Sequence, residues 1–126
     1  MGYILSKKSK DKLKGVDKSL VIVMEESIKE SPYDFSITEG IRTSERQKQL
    51  YDEGKSLTLN SKHLIGKAVD IAIFVDGKIT WEHKYFKAVA EHIKNTAKKL
   101  GVDIIWGGDF KSFFDGPHFE LSGKSL

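Results

Sequence analysis

Apolar residues change their spacing several times along this chain, and each change marks an element. From about Ser9 to Glu30 they fall at Leu13, Val16, Leu20, Val23, Met24 and Ile28. That spacing makes one face of a long amphipathic helix. Ser31-Pro32 stops it, because the residue before a proline disfavours the α region. Phe35–Ile41 alternates apolar and polar positions and predicts a short strand. Ser44-Glu45-Arg46-Gln47 matches a capping box and opens a short helix that ends near Gly54. Lys55–Lys62 is polar and predicts a surface loop. Val69–Val75 predicts a strand, Asp76-Gly77 a two-residue hairpin turn and Lys78–Trp81 the returning strand. From Glu82 to Leu100, residues Tyr85, Phe86, Val89, Ile93, Ala97 and Leu100 repeat at helical spacing, with Gly101 as C-cap. Val102–Trp106 and Pro117–Leu121 predict the last strands. Helices and hairpins arranged in this way imply an α+β fold, a small and mainly antiparallel sheet with helices packed on it.

Composition narrows the class. A chain of 126 residues with 39% apolar and 31% charged residues suits one globular domain over residues 1–126. No apolar stretch approaches the roughly 20 residues that span a bilayer, so no membrane insertion is expected. At the start, three apolar residues precede a basic run, the reverse order of a secretory signal. Cysteine is absent, so any metal is left to His and carboxylate ligands. The net charge is +3, with lysines concentrated in the first 18 residues. A basic surface suits an anionic partner such as nucleic acid, lipid or an acidic polymer, and equally an ordinary solvated face.

The candidate chemistry lies in two stretches. In the strand Val69–Val75, residues Val69, Ile71, Ile73 and Val75 share one face, and Asp70, Ala72 and Phe74 the other. Asp70 therefore points away from the main core. His63 lies just upstream, across a turn at Gly66. The second stretch is FDGPHFEL, Phe114–Leu121, in which His118 and Glu120 share a strand face and Asp115 precedes His118 across a Gly-Pro turn. His63, Asp70 and His118 together make a two-histidine, one-carboxylate set with an open position, the donor class of a catalytic zinc site. A nearby carboxylate then serves as general base, Asp115 first and Glu120 in reserve. His83 and His92 fall on the polar side of the long second helix and read as solvated.

Ser61–Asp70 resembles, at every fixed position, the S-x-H-x-x-G-x-A-x-D motif of VanY-type zinc D,D-peptidases and the related phage L-alanyl-D-glutamate endopeptidases. The acid-x-x-His motif of those enzymes is matched by Asp115 and His118. The segments SPYDFSITEGIRTSERQ and WGGDF…FDGPHFEL resemble the phage branch most, and the likeness runs from about residue 17 to residue 121. The resemblance implies a hedgehog and D,D-peptidase-like fold with a zinc site on the sheet. It implies that His63, Asp70 and His118 bind one Zn2+ and that Asp115 is the base, where many relatives carry Glu. Arg42, in Gly-Ile-Arg-Thr, matches the arginine that steadies the oxyanion, and Ser61 matches a substrate contact. Trp106 and Asp109 suit the cleft wall, and equally core packing and a turn cap. The short connection Ser112–Gly116 implies a small loop beside the site. The function implied is a phage endolysin that cuts L-Ala–D-Glu bonds of peptidoglycan stem peptides. Such an enzyme would be a monomer without a separate wall-binding domain and without nucleic acid as partner. It would accumulate in the cytoplasm of the infected host and reach the wall through a holin. A D-alanyl-D-alanine carboxypeptidase and a catalytically silent basic binding module are the alternatives.

Overall fold

The computed structural model describes residues 2–56, 58–110 and 114–122. The connection expected over Ser112–Gly116 therefore lies partly outside the described residues, as does Leu57 in the loop before the first histidine. In chain order the helices are α1 (Lys7–Lys12), α2 (Lys18–Lys29), α3 (Ser44–Asp52) and α4 (His83–Leu100). The strands are β1 (Asp34–Glu39), β2 (Ala68–Val75), β3 (Lys78–Thr80), β4 (Ile104–Trp106) and β5 (His118–Leu121). Every pairing is antiparallel, with the order β1-β2-β5-β4. β3 and β5 share the edge of β2 opposite β1, β3 at its C-terminal end and β5 at its N-terminal end. This is the α+β architecture that the alternating and helical spacings predict.

The core lies between the sheet and the pair α2 and α4. Val69, Ile71 and Ile73 are fully buried, as the β2 alternation requires. Leu20, Val23, Met24 and Ile28 of α2 and Phe86, Val89, Ile93 and Ala97 of α4 cover them. Burying a side chain of this size stabilises by about 1.5–3 kcal/mol. The Asp76-Gly77 turn joins β2 to β3, and Gly101 caps α4 at φ 73°. Among the described residues, no helix is long and apolar enough to cross a membrane.

One helix expected over Ser9–Glu30 is two. Gly15 takes φ 81°, and Asp17 caps α2 by accepting from Ser19 N at 3.0 Å. The break lets Asp17 N donate to Gly66 O at 2.8 Å and Asp17 receive an ion pair from Lys67 at 2.9 Å. Leu13 and Val16 stay buried, so the apolar face continues while the backbone does not. These contacts bring the N-terminal segment against the turn that carries His63. His92 also differs from expectation. Its Nε2 donates to Ser27 O at 2.8 Å, tying α4 to α2 instead of facing solvent.

Candidate metal centre

Register builds the floor of the site. Asp70 on β2 stands directly opposite His118 on β5, so both side chains leave the same face of the sheet. Glu120, two residues on, leaves that face as well. His63 arrives from a 3-10 turn over Lys62–Ile65. Ser61 caps this turn, its Oγ accepting from His63 N at 3.2 Å. Gly66 ends the turn at φ 70°, and a Cβ there would lie 2.7 Å from Gly15 O. Both the left-handed backbone and the close approach call for glycine.

His63, Asp70 and His118 offer donor atoms that all lie within 4.8 Å of one another. Their second hydrogen bonds decide which nitrogens face inward. His63 Nδ1 lies 2.8 Å from Gly40 O, and a carbonyl only accepts, so Nδ1 carries the hydrogen and Nε2 a lone pair. That Nε2 lies 3.2 Å from Asp70 Oδ1. His118 Nε2 donates to Glu120 Oε1 at 2.8 Å, which leaves Nδ1 pointing at the same Asp70 oxygen from 3.1 Å. Two imidazole nitrogens thus converge on one carboxylate oxygen. In the neutral tautomers fixed by their outer partners both turn lone pairs toward it, an arrangement that a bound cation or an added proton holds together. The donor set fits a divalent ion, and the partner on each outer nitrogen fixes the tautomer such an ion needs. A proton answers the same need. Burial opposes charge on His118, but its bonds to Asp70 and Glu120 prevail and push its pKa up to about 9. Burial likewise works against the Asp70 charge, and the two histidines hold that carboxyl well below the usual range.

Arg42 stands beside this cluster with 9% of its side chain exposed and Nη2 3.6 Å from Asp70 Oδ2. It pairs with Glu39, which a bulge between Ile37 and Glu39 sets opposite Asp70. Nη1 donates to Gln47 Oε1 at 2.7 Å, and Arg42 N donates to His63 O at 3.0 Å. Arg42 Nε is buried without a partner among the described residues. Asp115 is half-buried, its backbone N bonded to Gly107 O at 3.0 Å and its own carbonyl accepting from His118 N at 3.1 Å. Burial, then the charge of Asp70, push its pKa up, with His118, His63 and Arg42 offsetting part of the rise. That is the direction a general base needs. Glu120 is placed differently. Burial disfavours its charge, yet His118 and Lys62, the latter at 3.0 Å, hold its pKa down. It stands behind His118 and not over the cluster.

These residues line a cleft of about 500 Å³ whose walls also carry Arg46, Lys55 and Phe110. Of the residues expected here, His63, Asp70, His118, Arg42, Asp115, Ser61 and Glu120 all meet in the cleft. Trp106 and Asp109 do not. Trp106 is buried and donates from Nε1 to Gly116 O at 2.7 Å, and Asp109 pairs with Lys94 on the surface. His83 is exposed but not simply solvated, since it stacks on Trp106 at 5.9 Å.

Gln47 was not foreseen. It is fully buried, accepts from Arg42 and donates from Nε2 to Ser56 Oγ at 2.8 Å and Thr58 O at 2.6 Å. The capping-box reading assigned it to the helix end instead. Thr43, not Ser44, is the N-cap, accepting from Arg46 N at 3.1 Å. A glutamine one turn inside a short polar helix, five residues after the arginine, is the only sequence signal of this role. Phe110 was missed too; its ring lies 5.7 Å from that of His118.

Three protein donors facing an open cleft match a catalytic metal centre, which keeps a position for water, and not a closed structural one. Comparison with known proteins supplies the family. Residues 1–122 match the family described as phage L-alanyl-D-glutamate peptidase, and the chain belongs to it. The L-alanyl-D-glutamate peptidase of Escherichia phage T5 is 32% identical over 136 aligned positions, covering 96% of this chain and 99% of that protein. The peptidoglycan L-alanyl-D-glutamate endopeptidase CwlK of Bacillus subtilis is 36% identical over 103 positions, 70% of this chain and 60% of CwlK. The crystal structure of the Serratia marcescens L-Ala D-Glu endopeptidase ChiX superposes with a TM-score of 0.90 at 36% identity. The match covers 96% of this chain and 92% of that one.

Proposed function

We propose that this chain is a zinc-dependent peptidoglycan endopeptidase that hydrolyses the L-Ala–D-Glu bond of stem peptides, acting as a phage endolysin. The observation that carries this reading is the convergence of His63 Nε2 and His118 Nδ1 on Asp70 Oδ1 in a chain of this family. His63, Asp70 and His118 hold the ion, and all-nitrogen and oxygen donors in this number suit zinc. When bound, the ion supplies Lewis acidity and brings the pKa of its water toward about 7. Asp115, with its raised pKa, takes the proton of the attacking water and delivers it to the departing amine of D-Glu. Arg42 holds its guanidinium beside Asp70, where negative charge develops on the scissile carbonyl oxygen, and stabilises it. Glu120 keeps His118 in the ligating tautomer, and Ser61 shapes the turn beneath the substrate. The enzyme acts as a monomer, accumulates in the host cytoplasm and reaches the wall when a holin opens the membrane. Its lysine-rich surface then favours the anionic wall.

The test is the identity of the bond cut. Digested peptidoglycan analysed by mass spectrometry should show new N-terminal D-Glu, dependent on added zinc. Release of D-Ala alone, or no product, would overturn the proposal.

A further inference from the structure

Asp115 borders two cavities. On one side lies the charged cleft that holds the His63, Asp70 and His118 cluster, its walls carrying Arg42, Arg46, Lys55 and Lys62 together with Glu39 and Glu120. On the other lies a cavity of about 240 Å³ walled by Trp81, His83, Phe86, Phe114 and the Gly116-Pro117 turn. Its character differs: it is aromatic and, among the described residues, free of lysine and arginine. Trp81 packs one ring face on Phe86 at 6.0 Å and 12°, while the residue stays 59% exposed. Phe114 is 53% exposed and meets His83 at 4.9 Å. Large aromatic residues left open together on a small protein mark a binding surface.

We infer that this aromatic cavity is a subsite for the amino-sugar of the substrate, with Trp81 as the stacking platform, so that the stem peptide runs from Trp81 across Asp115 into the charged cleft. The inference rests on the L-Ala–D-Glu reading above. The two halves of that substrate differ in the way the two cavities differ. From D-Glu onward the peptide carries free carboxylates, for which Arg46 and Lys55 on the wall of the charged cleft supply cations. On the other side, L-Ala is amide-linked through a lactyl ether to a pyranose, and that half carries no free carboxylate. A pyranose presents a flat face of C–H groups, which stacks on an open indole face, and the cavity is large enough to seat one ring. Because Asp115 belongs to both walls, a ligand spanning them places its scissile bond at the base.

The test compares two substrates, an N-acetylmuramyl stem peptide and the same peptide without the sugar. In Trp81→Ala the ratio of kcat/KM for the sugar-bearing substrate to that for the bare peptide should fall roughly tenfold. Trp81→Phe, which keeps a ring, should recover part of the loss. An unchanged ratio would overturn the subsite. A second measurement does not depend on cleavage. N-acetylmuramyl-L-alanine titrated into the zinc-loaded protein should shift the indole N–H resonance of Trp81, assigned by its disappearance in Trp81→Phe. Absence of that shift would overturn the subsite on its own. If the wild type cuts neither substrate between L-Ala and D-Glu, the proposed function fails instead, and the indole shift alone decides the subsite.

Discussion

Replacing Glu120 by Gln separates the two roles open to that carboxylate. Glu120 Oε1 accepts from His118 Nε2 at 2.8 Å and its other oxygen pairs with Lys62 at 3.0 Å, with 15% of the side chain exposed. Gln keeps the shape and one acceptor but removes the charge. A hydrogen bond to a charged group contributes about 1.5–3 kcal/mol when buried. The same substitution leaves Lys62 without its carboxylate. Weakening the partner of a ligating histidine typically lowers metal affinity by about 10–100-fold. Glu120→Gln should therefore raise the zinc dissociation constant by about that factor, measured by competition with a chromophoric chelator. At saturating zinc, kcat should return to within a few-fold of wild type, and the acid limb of the pH–rate profile should persist. If kcat stays down by about 100-fold or more with zinc saturating, Glu120 and not Asp115 is the base, and the reasoning from their positions is refuted.

Asp115→Asn removes the proposed base without touching the donor set, so kcat should fall by about 100–10,000-fold while bound zinc, read by elemental analysis, is retained. Gln47→Met removes the acceptor for Arg42 and the donor to Ser56 and Thr58. It should lower kcat about tenfold and raise KM, and an equal loss of stability with unchanged kinetics would mean that Gln47 only packs. Asp17 bears on acid stability. Its pKa is lowered to about 2 by the hydrogen bond from Lys67 and then by those from Ser19. A depressed carboxylate stabilises fully above its unfolded pKa, near 3.8, and that contribution is lost as pH falls through about 2. The pair is partly exposed and asparagine still caps the helix, so about 1 kcal/mol is expected from the lost charge. Denaturant melts of Asp17→Asn should show that gap at pH 7 and its near disappearance at pH 2, and a constant gap would contradict the linkage.

Where the sequence was legible, a local rule and the tertiary structure asked for the same thing. The alternation of Val69–Val75 placed Asp70 off the core, and the strand partner His118 then had to share its face. The Asp76-Gly77 turn and α4 with its Gly101 cap are equally local. The misses arise where distant contacts overrule spacing. An apolar stripe through Leu13 and Val16 predicts an unbroken helix. Gly15 and Asp17 break it because Asp17 binds Gly66 and Lys67, some 50 residues away in sequence. Gln47 read as a cap because its true partners, Arg42 and the loop at Ser56 and Thr58, come together only in the fold. For Trp106 and Asp109 the sequence left cleft wall, core packing and turn cap open, and the short turn over Gly107–Asp109 directs one into the core and the other out to Lys94. His92 looked solvated on a helical wheel until α2 offered the Ser27 carbonyl.

The central claim is that His63, Asp70 and His118 hold the ion on which wall cleavage depends. Zinc titrated into chelator-treated protein, with release of N-terminal D-Glu from peptidoglycan followed at each addition, tests it most directly. Activity should be absent at the start and rise to a plateau at about one zinc per chain, and His118→Ala should show no rise at that stoichiometry. Full cleavage by the metal-free protein, or an unchanged titration in His118→Ala, would contradict the account.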